Sequence, residues 1–122
     1  KEKSFSLKEN FLSIIKNEVN AGSVIGAYGA PAKAFTLFSF FELDRKTISF
    51  CADTTHTKIG KFFPILDIPV ISEKELKERD YSVLIIPAWN YKKDIIKKAK
   101  RIFRKGTKLV FPLPSLDIVE VD

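Results

Sequence analysis

Methionine is absent from the 122 residues, and cysteine, histidine and tryptophan occur once each. A lone cysteine, Cys51, excludes a disulfide framework and any thiolate zinc site. His56 is the one imidazole, and nothing adjacent in sequence orients it as a general base. A metal site would depend on carboxylates alone, and no paired-carboxylate motif stands out. Long apolar runs are missing as well. Val83–Ala88 is among the longest and falls far short of a membrane span, and no signal-peptide pattern opens the chain. A reducing, cytoplasmic setting without membrane attachment is expected. The lack of Met even at the first position, where Lys1 stands, reads as a piece of a longer protein.

What is present suffices for one domain with a real core. Apolar residues make up 45% of the chain and charged residues 30%, which excludes disorder and low complexity. The formal net charge is +6. Nine of the 21 basic residues fall between Lys92 and Lys108. That stretch has an apolar inner face of Ile95, Ala99, Ile102 and Phe103, so its lysines read as a solvated helix face. No nucleic-acid motif or interleaved aromatics accompany them, and nucleic acid is not the expected partner.

The pattern alternates between helix and strand. Ser6-Leu7-Lys8-Glu9 has the form of a capping box, followed by Leu7, Phe11, Ile14, Ile15 and Val19 at helical spacing, with Gly22 placed to end the helix. Ser23–Tyr28 reads as the first buried strand. Pro31 suits the first position of a second helix running to about Leu43. Strands are expected at Thr47–Ala52, Ile68–Ile71, Ser82–Pro87 and Lys108–Phe111, with an edge strand at Leu116–Val121. A short helix should start at Ser72-Glu73-Lys74-Glu75, and an amphipathic one should run from Tyr91 to Lys105 and stop at Gly106. Such alternation means βαβ units and an α/β, three-layer, Rossmann-like domain with a mostly parallel sheet. Residues 1–22 form an N-terminal helix, read as a linker from an upstream domain, and residues 23–122 form the Rossmann-like part.

Open parallel sheets bind ligands at the carboxyl ends of their strands. Three unusual segments fall there: Gly26-Ala27-Tyr28-Gly29-Ala30-Pro31-Ala32-Lys33, the loop Asp53–Gly60, and Pro87-Ala88-Trp89-Asn90. The first is not a dinucleotide G-x-G-x-x-G, yet its small residues admit a ligand to the backbone and to a helix N-terminus. Lys33 is either an anion ligand there or a solvated lysine opposing the helix dipole. Asp53 is either a ribose-hydroxyl acceptor or a turn aspartate. Lys58 and Gly60 add charge and a tight turn to that loop. Trp89 either walls a ligand ring or closes the end of the sheet as core, and Asn90 offers a hydrogen-bonding amide.

These segments, together with Ile68-Pro69-Val70 and Phe111-Pro112-Leu113-Pro114, occur in the order and spacing of one known domain. From about Ser23 to Val119 the chain resembles the C-terminal domain of the S-adenosylmethionine-dependent sugar C-methyltransferases. The GAYGAPAK octapeptide and the Trp-Asn pair are its specific features. The resemblance implies a Rossmann-like domain that binds a nucleotide-diphosphate sugar, a nucleotide-linked keto-deoxysugar. Gly26, Tyr28, Gly29, Ala30, Pro31, Lys33, Asp53, Lys58, Trp89 and Asn90 would be the substrate-binding residues.

It further implies that S-adenosylmethionine and the catalytic base belong to a preceding domain. This chain alone would then hold no cofactor and have no activity. Three departures from the family pattern stand out. Ala34-Phe35 replaces Gly-Asn, Thr54-Thr55-His56 replaces Arg-Asn-Pro, and Asp94 replaces a glutamate. The alternative function is a non-catalytic module that binds another phosphorylated metabolite.

Overall fold

Residues 2–53 and 59–122 are described by the computed structural model, with side chains from residue 8 onward. Strands β1 (Ile25–Tyr28), β2 (Ile48–Asp53), β3 (Val70–Ser72), β4 (Val83–Ile85), β5 (Lys108–Phe111) and β6 (Asp117–Glu120) form one sheet in the order β3-β2-β1-β4-β5-β6. The first five run parallel, and β6 closes the edge antiparallel to β5. From β1 the chain works outward to β3 and then returns across the sheet to β4. The order therefore reverses between β1 and β4, which places a crevice at their carboxyl ends.

Helices α1 (Glu2–Asn20) and α2 (Pro31–Phe40) cover one face, and α3 (Glu73–Glu78) and α4 (Lys92–Ile102) cover the other. The architecture is three-layer α/β, as the alternating pattern predicts. Strands buried on both faces explain why they read as unbroken apolar runs. On the α1–α2 face Phe11, Ile15 and Phe38 pack against Ile25, Ile48 and Val83. On the other, Leu76, Ile95 and Phe103 meet Phe50, Leu84 and Leu109. Each fully buried Phe or Leu contributes about 1.5–3 kcal/mol relative to exposure. Among the described residues no helix is long and apolar enough to cross a membrane.

Most element boundaries follow from local chemistry. Gly22, at φ +82°, ends α1 in a Schellman turn: Ser23 N–H donates to Glu18 O (2.9 Å) and Gly22 N–H to Val19 O (3.0 Å). Ser72 caps α3, its hydroxyl accepting from Glu75 N–H at 3.0 Å. Three expectations need correction. Helix α2 ends at Phe40 rather than near Leu43. Helix α1 starts at Glu2, so Ser6 lies inside it rather than at its cap; each residue added to a formed helix gains a hydrogen bond, and Glu and Lys propagate well. Helix α4 ends at Ile102 rather than near Lys105. There Phe103 turns extended and buries its ring edge-on against Tyr28 (4.9 Å), and Gly106 instead serves the turn into β5.

Candidate functional site

The crevice is built from the two connections that leave β1 and β4. After Tyr28, Gly29 (φ +77°) donates its N–H to Ala52 O at 2.7 Å, and Ala30 follows, also left-handed at φ 47°. Pro31 then opens α2 with its φ already set for a helix. The N-cap is Ala30, which has no side-chain acceptor, and the first turn holds no acid. The N–H groups of that turn thus keep their positive polarity. Lys33 adds a full charge to it.

Strand β4 delivers the opposite wall. Ile86 N–H still pairs with Val110 O (2.8 Å), after which Pro87 and Ala88 lead into a single 3-10 turn, Trp89–Tyr91. This turn carries Asn90 to α2. Lys33 Nζ donates to Asn90 Oδ1 at 3.1 Å, joining two motifs that lie 57 residues apart in sequence. Beside the pair a groove of about 560 Å³ runs along α2, lined by Ala32, Lys33, Thr36, Leu37, Phe40 and Phe41, with Pro87, Trp89 and Leu113. Trp89 is 45% exposed and Phe40 60% exposed. Trp89 is therefore a groove residue more than a core one.

The remaining expected site residues are turned into the protein or fall outside the described part. Gly26 lies within β1 with the Phe50 ring pressed on its Cα. Tyr28 points to the α3–α4 face, where its hydroxyl donates to Glu73 Oε1 at 3.0 Å. Burial, and then the Glu73 charge, push its pKa up, so it stays a neutral donor. Asp53 ends β2 and is only 3% exposed. Burial, with the Asp53 charge adding to it, pushes the Cys51 thiol up to about 12. Lys58 and His56, with Thr54, Thr55 and Thr57, lie outside the described residues. Gly60 turns at φ +86° and donates its N–H to Val70 O.

One of the departures from the family pattern, Ala34-Phe35, has a packing explanation. Ala34 is buried on the inner face of α2, and Phe35 meets Phe63 edge-on at 5.7 Å. Neither lines the groove. Asp94 is exposed in the first turn of α4. Three of the clustered basic residues are committed to the fold. Lys108 pairs with Glu18 (2.7 Å), Lys92 pairs with Asp117, and Arg104 donates to the carbonyls of Lys77 and Arg79 over the Tyr81 ring.

Residues 1–114 match the family described as the C-methyltransferase C-terminal domain. The chain belongs to that family. It is also 29% identical over 109 residues to the C-methyltransferase NovU of Streptomyces niveus, an alignment covering 89% of this chain and 26% of that protein. The chain thus spans about a quarter of the length of the curated relative it matches.

In this C-methyltransferase C-terminal domain the structure brings Lys33, Trp89 and Asn90 together beside the Gly29–Pro31 turn. Sequence reasoning missed Thr36, Leu37, Phe40, Phe41 and Leu113. A signal for part of that wall was present, since Lys33, Leu37 and Phe40 recur at i, i+4 and i+7 on one helix face. Among the described residues every buried side-chain polar atom has a hydrogen-bond partner. The groups open to a ligand are therefore the exposed ones at the rim.

Proposed function

We propose that this domain binds a nucleotide-diphosphate sugar at the β1/β4 crevice. It would do so as the C-terminal part of an S-adenosylmethionine-dependent C-methyltransferase acting on a nucleotide-linked keto-deoxysugar. The observation that carries the reading is the Lys33–Asn90 hydrogen bond at the uncapped N-terminus of α2. An ammonium, a helix N-terminus and a backbone turn without bulky side chains form a cationic cradle suited to a diphosphate. Asn90 aims the lysine at it, and Gly29, Ala30 and Pro31 let the phosphates approach the chain. Membership of the C-methyltransferase family supports the rest.

The groove does not suit S-adenosylmethionine. Its one charge, Lys33, has the same sign as a sulfonium, and the acid at the end of β2 that would take a ribose is buried. Cofactor binding and the catalytic base are assigned to another part of the protein, and this chain alone is inactive in this reading.

Calorimetry with a nucleotide-diphosphate sugar tests the proposal. Lys33→Ala should weaken binding by about 1.5–3 kcal/mol, the range for a hydrogen bond to a charged group. Its stability should not fall, because a cation leaves a helix N-terminus. Equal affinity in the variant would make Lys33 a solvated lysine, and saturable micromolar binding of S-adenosylmethionine to this chain would overturn the division of labour.

A further inference from the structure

We propose that the groove beside Lys33 receives the flat base of the nucleotide, so that the ligand lies base-inward along α2 with its sugar outside the groove. The inference rests on the diphosphate reading above and adds the direction in which the ligand lies.

The lining decides between base and sugar. Of the groove residues only Lys33, Thr36 and the indole N–H of Trp89 bring polar side-chain atoms, and the Thr36 hydroxyl already donates its proton to Ala32 O at 3.1 Å. A sugar presents hydroxyls around its ring, each needing a partner once water leaves, and these mostly apolar walls supply too few for all of them. A base has two faces that need no hydrogen bonds and stack well on aromatic side chains. Two large aromatics from different elements, Phe40 of α2 and Trp89 of the β4–α4 connection, stand exposed on this groove. Phe40 is held in place by Phe41 edge-on at 5.2 Å and by the Lys8 ammonium 5.2 Å from its ring centroid.

Spacing along α2 agrees. Lys33, Leu37 and Phe40 share one helix face, and seven residues at 1.5 Å each span roughly 10 Å. A phosphate on Lys33 therefore leaves room for a ribose before a ring reaches Phe40. The groove volume, about 560 Å³, falls in the range of small-ligand sites.

Trp89 is the sole tryptophan, so its fluorescence reports this groove alone. Uridine diphosphate, inorganic diphosphate and glucose 1-phosphate are titrated into the chain, with calorimetry alongside. Uridine diphosphate should quench Trp89 and bind at least tenfold more tightly than inorganic diphosphate, and glucose 1-phosphate should leave the emission unchanged. Phe40→Ala should weaken uridine diphosphate about tenfold without altering inorganic diphosphate affinity, and Phe40→Tyr should keep both. Lys33→Ala should weaken both ligands. If uridine diphosphate and inorganic diphosphate bind equally well, or if Phe40→Ala leaves their ratio unchanged, the base lies elsewhere and only this inference fails. If neither binds the wild-type chain, the diphosphate reading fails and takes the inference with it.

Discussion

Gly26 and Phe50 share a space that admits only one side chain: a Cβ on residue 26 would stand 2.3 Å from Cζ of Phe50 and 2.4 Å from its Cε1. The ring is fully buried and lies across β1 from the neighbouring strand β2. Gly26→Ala must therefore push an aromatic ring through close-packed core, at about 1–3 kcal/mol or more. In a urea-denaturation cycle with Phe50→Leu, the double variant should be clearly more stable than the sum of the two single losses implies. Additive losses would mean that the ring is not the cause.

Ala30 holds a left-handed conformation that costs an L-residue about 1–2 kcal/mol. Ala30→Gly relieves that strain but widens the unfolded ensemble by about 0.4–1 kcal/mol. The relieved strain is the larger of the two, so melting should rise modestly, by the equivalent of no more than about 1.5 kcal/mol. Ala30→Val, branched at Cβ, should destabilise by more than about 1 kcal/mol, and a Val variant as stable as Ala would show the turn to be conformationally free.

Cys51 is buried in the middle of β2, with its thiol pushed up to about 12 by burial and, less, by Asp53. The thiolate is the nucleophile, and it is scarce here at neutral pH. Labelling by iodoacetamide at pH 8 should be at least a hundredfold slower in the native chain than in urea. Rapid native labelling would show that β2 opens locally.

Glu18 sits between Lys108, at 2.7 Å, and the Ser23 hydroxyl, also at 2.7 Å. The Lys108 hydrogen bond first, and then that of Ser23, hold its carboxyl below the ordinary value of 4.5. A depressed folded-state pKa contributes stability that is present above 4.5 and lost as pH falls through the folded value. Below pH 4.5 the wild type should therefore lose up to about 1 kcal/mol more than Glu18→Gln, the upper end for an ion pair at the protein surface with one half-exposed partner. Parallel stability profiles for the two proteins from pH 6 to pH 3 would remove the pair from the account of acid stability.

Much of the candidate site was legible because the fold rule is simple. Parallel strands joined by helices deliver their carboxyl ends to one rim, so residues that follow β1 and β4 had to become neighbours. Lys33 and Asn90 meet for that reason. The apolar wall was less legible. Helix α2, with Ala34, Phe35, Leu37, Phe38 and Phe40, is apolar on most of its circumference, so periodicity does not tell its core face from its groove face.

The sequence by itself determined the α/β alternation, the Schellman stop at Gly22, the cap at Ser72 and the small-residue turn into α2. Each depends on backbone conformation or on hydrogen bonds within a few residues, and local residue types specify these. Tertiary structure alone decided which faces are used. Tyr28 turned inward to Glu73, Gly26 was required by a ring on another strand, and Trp89 and Phe40 were left open on one groove. Those outcomes depend on steric fit and burial between segments far apart in the chain, which no local pattern encodes.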